Sequence, residues 1–240
     1  MVDQDGYRQH ISGQFNAELE AATAHMLEMG GVVEQQVLKA VDAFVDRDSG
    51  DAQEVIDSDR GINAMELGID NECFRILARR QPAAGDLRLV MAISKVIVDL
   101  ERIGDEASRI ARQAIALSEH SQQNPAHPWT RRIAGIVTEM LQAALDAFAR
   151  RDAVAALEVA RGDEVIDSEI SGAMTALADT MRSTPETVEV AVTSMWALRS
   201  LERVGDHARN IAEYVIYMVE GVDVRHAELD TVRDWLSERR

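Results

Sequence analysis

Apolar residues recur every three or four positions along most of this chain, the interval that gathers side chains on one face of an α-helix. At about 100° per residue, Val90, Ile93, Ile97, Leu100, Gly104, Ala107 and Ala111 fall on a single stripe. No segment alternates apolar and polar residues as a half-buried strand would. The pattern predicts six helices in two sets of three. The first runs over 11–46, with Gly30-Gly31 inside it as a candidate kink. Asp48-Ser49-Gly50-Asp51 breaks the pattern, and the second helix covers 52–79. Gln81-Pro82 opens the third, which continues toward Leu117; proline suits a first turn, where the N–H needs no partner. The polar run 118–128, with two prolines, is the linker. Helices four and five cover 129–150 and 153–181. Ser183-Thr184-Pro185-Glu186 starts the sixth, capped by Ser183 or Thr184, and Gly221 stops it.

The two sets of helices are copies. Asp42-Ala43-Phe44-Val45-Asp46-Arg47-Asp48 returns as Asp146-Ala147-Phe148-Ala149-Arg150-Arg151-Asp152, an offset of 104. At that offset Asp59 meets Asp163, Ile62 meets Ile166 and Asn63 meets Asp167; by Glu101 and Glu202 the offset has fallen to 101. The division is 1–122 for the first three-helix repeat, 123–222 for the second, and 223–240 for a charged tail that frays. Thin amphipathic helices must bury their stripes on one another, so the expected fold is all-α, two tandem three-helix bundles.

Composition narrows the function. Of 240 residues, 46% are hydrophobic but only 4% aromatic, a mix that suits helices. The net charge of −17, from 25 basic and 42 acidic side chains, opposes contact with nucleic acid or an anionic lipid face. Cys73 is the only cysteine, so no internal disulfide forms. The first residues lack the basic and apolar regions of a signal peptide, and no apolar run nears the ~20 residues of a membrane span. The expectation is a cytoplasmic protein without membrane insertion.

The chemistry on offer is acidic. Leu100-Glu101-Arg102-Ile103-Gly104-Asp105 recurs as Leu201-Glu202-Arg203-Val204-Gly205-Asp206. Each copy sets two carboxylates four residues apart on one helix face, at the edge of the apolar stripe, where like charges repel. Asp59 and Asn63 on the second helix, with Glu66 one turn on, can join Glu101 and Asp105. Asp163 and Asp167 can join Glu202 and Asp206, with Asn210 as a fifth oxygen donor. Oxygen-only donors suit hard cations such as Mg²⁺, Mn²⁺, Ca²⁺ or iron. No His follows a Glu by three residues, which weighs against a carboxylate-bridged di-iron oxidase. The plainer reading is a structural helical oligomer whose acids pair with Arg102, Arg203, Arg199 and Arg109 along their own helices. His207 reads as a surface histidine, and Arg79, Arg80 and Arg88 as a small basic cluster for an anion or partner. No phosphate loop, nucleophile elbow or Cys/His pair is present, so nothing reads as an active site.

Several runs resemble the PhoU family of phosphate-transport accessory proteins over nearly the whole chain. They are His10–Glu20, Met29–Gln36, the turn Arg80-Gln81-Pro82-Ala83-Ala84-Gly85-Asp86-Leu87-Arg88, and the two Leu-Glu-Arg-x-Gly-Asp copies. The resemblance implies two similar three-helix bundles and acidic motifs able to hold iron, manganese or magnesium. It also implies a non-enzymatic negative regulator of phosphate uptake and of the phosphate-starvation response. Its partners would be the ATPase subunit of the phosphate ABC transporter and a sensor histidine kinase, and self-association as a homodimer or higher homo-oligomer would be expected. Asn63 in place of an acid, and Arg109 where the second copy has Asn210, imply weaker cation binding in the first half.

Overall fold

Asp48 and Asp152 turn equivalent corners in the two halves. In the computed structural model, each follows a left-handed arginine, Arg47 (φ 57°) or Arg151 (φ 53°), that ends the preceding helix. The Asp48 N–H reaches back to the Ala43 carbonyl at 2.9 Å, and that of Asp152 to Ala147 at 2.9 Å. These are the six-to-one bonds of a Schellman close. Each aspartate then caps the next helix: Asp48 Oδ1 accepts from Gly50 N at 2.8 Å and Asp51 N at 3.0 Å. Asp152 Oδ1 accepts from Val154 N and Ala155 N, both at 3.0 Å.

The structure describes the backbone of residues 4–120, 124–225 and 227–238, and the side chains of 13–120, 124–225 and 227–237. The described elements are helices α1 (Gln4–Asp46), α2 (Ser49–Arg80), α3 (Ala84–Ser118), α4 (His127–Arg150), α5 (Ala153–Arg161), α6 (Asp163–Ser183), α7 (Val188–Glu220) and α8 (Leu229–Glu238), with a 3-10 turn at Pro185–Thr187. Among the described residues there is no strand, and no helix is long and apolar enough to cross a membrane. The boundary expected at 122/123 lies outside the described residues.

The all-α prediction holds, and α3 is the hub. It packs most extensively on α7, then on α2 and α1. Val90, Ile93, Leu100, Ile103, Ile110 and Leu117 of α3 are fully shut off from water. Each such side chain contributes about 1.5–3 kcal/mol by burial. The second half answers with Leu198, Leu201, Val204, Ile211 and Val215 of α7, equally buried.

α1 runs as one helix through Gly30-Gly31, as expected. Gly30 lets α4 approach: a Cβ on it would sit 2.6 Å from Leu145 Cδ1. Several local expectations are corrected. Pro82 lies outside α3, between the left-handed C-cap Gln81 and the extended N-cap Ala83. The fifth helix is two, because Gly162 interrupts it at φ −64°, ψ −17°. Neither Ser183 nor Thr184 caps α7; the Ser183 hydroxyl donates back to the Asp179 and Thr180 carbonyls at 3.0 and 3.1 Å. Gly221 does stop α7, in the left-handed region at φ 74°. The charged tail carries a helix, α8, which packs on α5 with Val232 and Leu236 buried. Its apolar pair spaced by four residues suffices for one buried face.

Candidate functional site: two acidic ledges and the seam between them

A missing side chain brings the acids of neighbouring helices together. A Cβ on Gly104 of α3 would lie 3.0 Å from Ile62 Cδ1 of α2, and one on Gly205 of α7 would lie 2.6 Å from Ile166 Cδ1 of α6. Close approach at these two points seats α2 against α3, and α6 against α7.

In the first ledge, Glu101 and Asp105 of α3 face Asp59 and Glu66 of α2. The Glu101 carboxyl is pushed up, first by burial and then by Asp105; Arg102 opposes this, and Glu66 and Asp59 add to it. Arg102 stands 3.6 Å from Glu101 and 3.8 Å from Asp105, but its side chain is 57% exposed. Such a pair contributes at most about 1 kcal/mol. Asn63 Oδ1 is closed to water and has no hydrogen-bond partner. Ser108 Oγ donates to Asp59 Oδ1 at 3.3 Å.

The second ledge is built differently. Asp163 is buried, and Arg209 Nη1 donates to its Oδ2 at 2.5 Å. Arg209 Nε also lies 3.3 Å from Glu213 Oε1. Glu202 is engaged by Arg199 Nη1 at 2.5 Å. Asp206 is an exposed residue, yet its carboxyl is pushed up, first by partial burial of the group and then by Asp163 and Glu202, with Arg209 opposing. Asp167 faces solvent. Asn210 is drawn elsewhere: its Nδ2 donates to Asp99 Oδ1 of α3 at 3.0 Å.

Two of the expected intrahelical ion pairs form, Arg102–Asp105 and Arg199–Glu202. The other two arginines go to the seam between the halves. Glu106, whose side chain is 4% exposed, receives both Arg109 of its own helix and Arg203 of α7, the latter at 3.1 Å. Further along the same seam, Asp99 Oδ1 lies 2.6 Å from His207 Nδ1, so this contact calls for the tautomer with its proton on Nδ1. Tyr214 feels the same carboxylate: burial first, then the Asp99 charge, pushes its phenol up to about 12. Lys95 Nζ sits 5.2 Å from the ring centres of both Tyr214 and Tyr217, within cation–π reach. His207 is therefore a seam residue, 22% exposed at its side chain, and not a surface one. The sequence held one signal for this seam: Asp99 is a lone carboxylate inside the apolar run Val96-Ile97-Val98-Asp99-Leu100. Of the expected basic cluster, Arg79 stays with Arg80 beside Glu18, and Arg88 goes elsewhere. Arg80 clamps Glu18 with bonds of 2.9 and 2.7 Å, while Arg88 Nε donates to the Met218 carbonyl at 3.1 Å.

Among the described residues, no group of three or more His, Cys, Asp or Glu is already placed to hold a metal ion. The donor types of the first ledge are nonetheless those that hard cations take, carboxylates crowded around Glu101, and on the same helix as Asp59 the Asn63 Oδ1 is shielded from water without a partner. The second ledge fits one poorly, because a guanidinium already stands against Asp163.

Comparison with known proteins places this architecture. The PhoU domain model matches residues 26–114 and 130–215, one match in each half. A phosphate-specific transport system accessory protein PhoU homolog of Pseudomonas aeruginosa is 52% identical over 240 residues, covering all of this chain and 99% of that protein. The PhoU protein of Escherichia coli K12 is 44% identical over 233 residues, covering 95% and 96% of the two chains. The crystal structure of PhoU from P. aeruginosa superposes with a TM-score of 0.84 at 55% identity, over 87% of this chain and 100% of that one. That of the phosphate transport system regulatory protein PhoU from Streptococcus pneumoniae gives 0.82 at 28% identity, over 88% and 99%. With both repeats matched and relatives aligned end to end, the chain belongs to the PhoU family.

Proposed function

We propose that this chain is the accessory regulator of a phosphate transport system, restraining uptake and holding the phosphate-starvation response off when phosphate is plentiful. The observation that carries the reading is the end-to-end match to phosphate-specific transport accessory proteins, with both repeats present. The family is one of accessory, regulatory proteins and not of enzymes. In this reading the partners are the transporter's ATPase subunit and a sensor histidine kinase at the cytoplasmic face. The protein would bind one transporter state better than another and so report it. Self-association into a homodimer or larger homo-oligomer belongs to the same proposal. So does a hard cation, Mg²⁺, Mn²⁺ or iron, held by Asp59, Asn63, Glu66, Glu101 and Asp105.

The test is deletion of the gene in its own host, with a phosphate-starvation reporter read in phosphate-rich medium. The reporter should switch on, and wild-type repression in the deletion strain refutes the reading. Capture of tagged protein from phosphate-replete cells, with and without a chelator, then asks whether the transporter ATPase and the kinase co-purify and whether a cation holds them.

A further inference from the structure

We infer that Arg209 is a built-in counter-ion that occupies the second ledge in place of a metal, so that the two copies neutralise the same acidic motif by different means. The duplication makes the comparison residue by residue. At the offset that aligns Glu101 with Glu202, Arg209 stands where the first half has Ser108. Both side chains point at the same acid of the neighbouring helix: Ser108 Oγ at Asp59, 3.3 Å away, and Arg209 Nη1 at Asp163, 2.5 Å away. One copy thus offers Asp59 a neutral hydroxyl, and the other offers Asp163 a full positive charge.

Two further differences reinforce the exchange. The first ledge includes Glu66, whereas the second has the buried Ile170 at the matching position. Arg199 also engages Glu202, with no arginine at the matching Val98 in the first half. The guanidinium is held at two points, by Asp163 and by Glu213 one turn further along α7, and Glu213 is itself buried. A planar fork fixed between two carboxylates makes a directional, charge-assisted bridge between α6 and α7. A divalent ion would have to displace it and leave an arginine against the new charge. The asymmetry reverses the order of affinity expected from Asn63 and Arg109: Arg109 turns to Glu106, away from Asp105.

This inference deepens the cation reading above but rests on it only for the first ledge. The experiment is titration of the full-length, metal-stripped protein with Mn²⁺, counting free aqueous Mn²⁺ by electron paramagnetic resonance. In the wild-type arginine background, Glu202→Gln with Asp206→Asn should leave the number of bound ions unchanged, and loss of a bound ion overturns the inference. Arg209→Ser, which copies the first half, should gain one Mn²⁺ per chain, and Asp163→Asn added to it should remove that ion. Arg209→Lys, which keeps a cation there, should gain none. An Arg209→Ser protein that binds no more Mn²⁺ than wild type overturns the inference. Its melting temperature should fall in chelator and recover in Mn²⁺, a rescue the wild type lacks at this ledge. Should Arg209→Ser fail to fold even with Mn²⁺, the Glu202/Asp206 comparison decides alone. Wild-type protein that binds no Mn²⁺, or binds it equally after Glu101→Gln with Asp105→Asn, sinks the first-ledge reading and leaves the Arg209 outcome independent.

Discussion

Replacing Asp99 with alanine tests whether the seam between the halves is held by its polar network. The Asp99 side chain is 9% exposed and meets His207 at 2.6 Å and Asn210 at 3.0 Å. Truncation leaves two donors without their acceptor. A fully buried orphan costs about 1–3 kcal/mol. His207 and Asn210 are only partly buried, so water can reach them and the low end of that range applies to each. The sum is about 2 kcal/mol, against a typical total stability of about 5–15 kcal/mol. For a chain of this size that corresponds to a melting point lower by roughly 4–8 °C. Urea unfolding should show a lower midpoint with an unchanged slope. Asp99→Asn, which keeps one acceptor, should lose about 1 kcal/mol. The double variant Asp99→Ala with His207→Ala should cost less than the two singles together, by about 1 kcal/mol or more. An alanine variant within about 0.5 kcal/mol of wild type, or strictly additive singles, refutes the network as a fastening between the halves.

Three other outcomes follow from the packing. Glu106 is buried between Arg109 and Arg203, so removing both arginines strands its charge and should cost about 3–5 kcal/mol by chemical denaturation, whereas Glu106→Met with both arginines kept should cost far less. The adjacent glycines of α1 should respond with opposite signs: Gly31→Ala meets open space and should stabilise by up to about 1 kcal/mol, while Gly30→Ala pushes Leu145 and should destabilise by about 1–3 kcal/mol, both read from melting curves. Ultraviolet titration should show Tyr214 ionising late, near its raised value of about 12. Because the folded value lies above the unfolded one near 10, the stability it confers is present below pH ~10 and is lost as the pH climbs through ~12. Asp99→Ala should bring that titration earlier.

The helices were legible because their stripes are long and their ends are marked. Asp48, Asp152 and Gly221 do at each boundary what their chemistry suggests. Gly162 was less legible, because a lone glycine inside a periodic run reads as tolerated. The acids Glu101, Asp105, Asp59 and Asp163 were found by spacing, since i to i+4 places two groups on one face whatever the tertiary context. Which cation answers them was not. Arg209 lies three residues past Asp206 and Asn210 four past it, so both share its face by period alone. Only the positions of α6 and α3 on either side of α7 send the arginine to Asp163 and the asparagine to Asp99.

The central placement of α3 means that the duplicated halves are no longer separable goods. The same helix that completes the first bundle with α1 and α2 is the main wall against which α7 of the second rests. Severing the chain near the linker would therefore strip a hydrophobic flank from both fragments at once, and neither would be the ancestral single repeat restored. A displacement of either copy would reach the other through this shared beam.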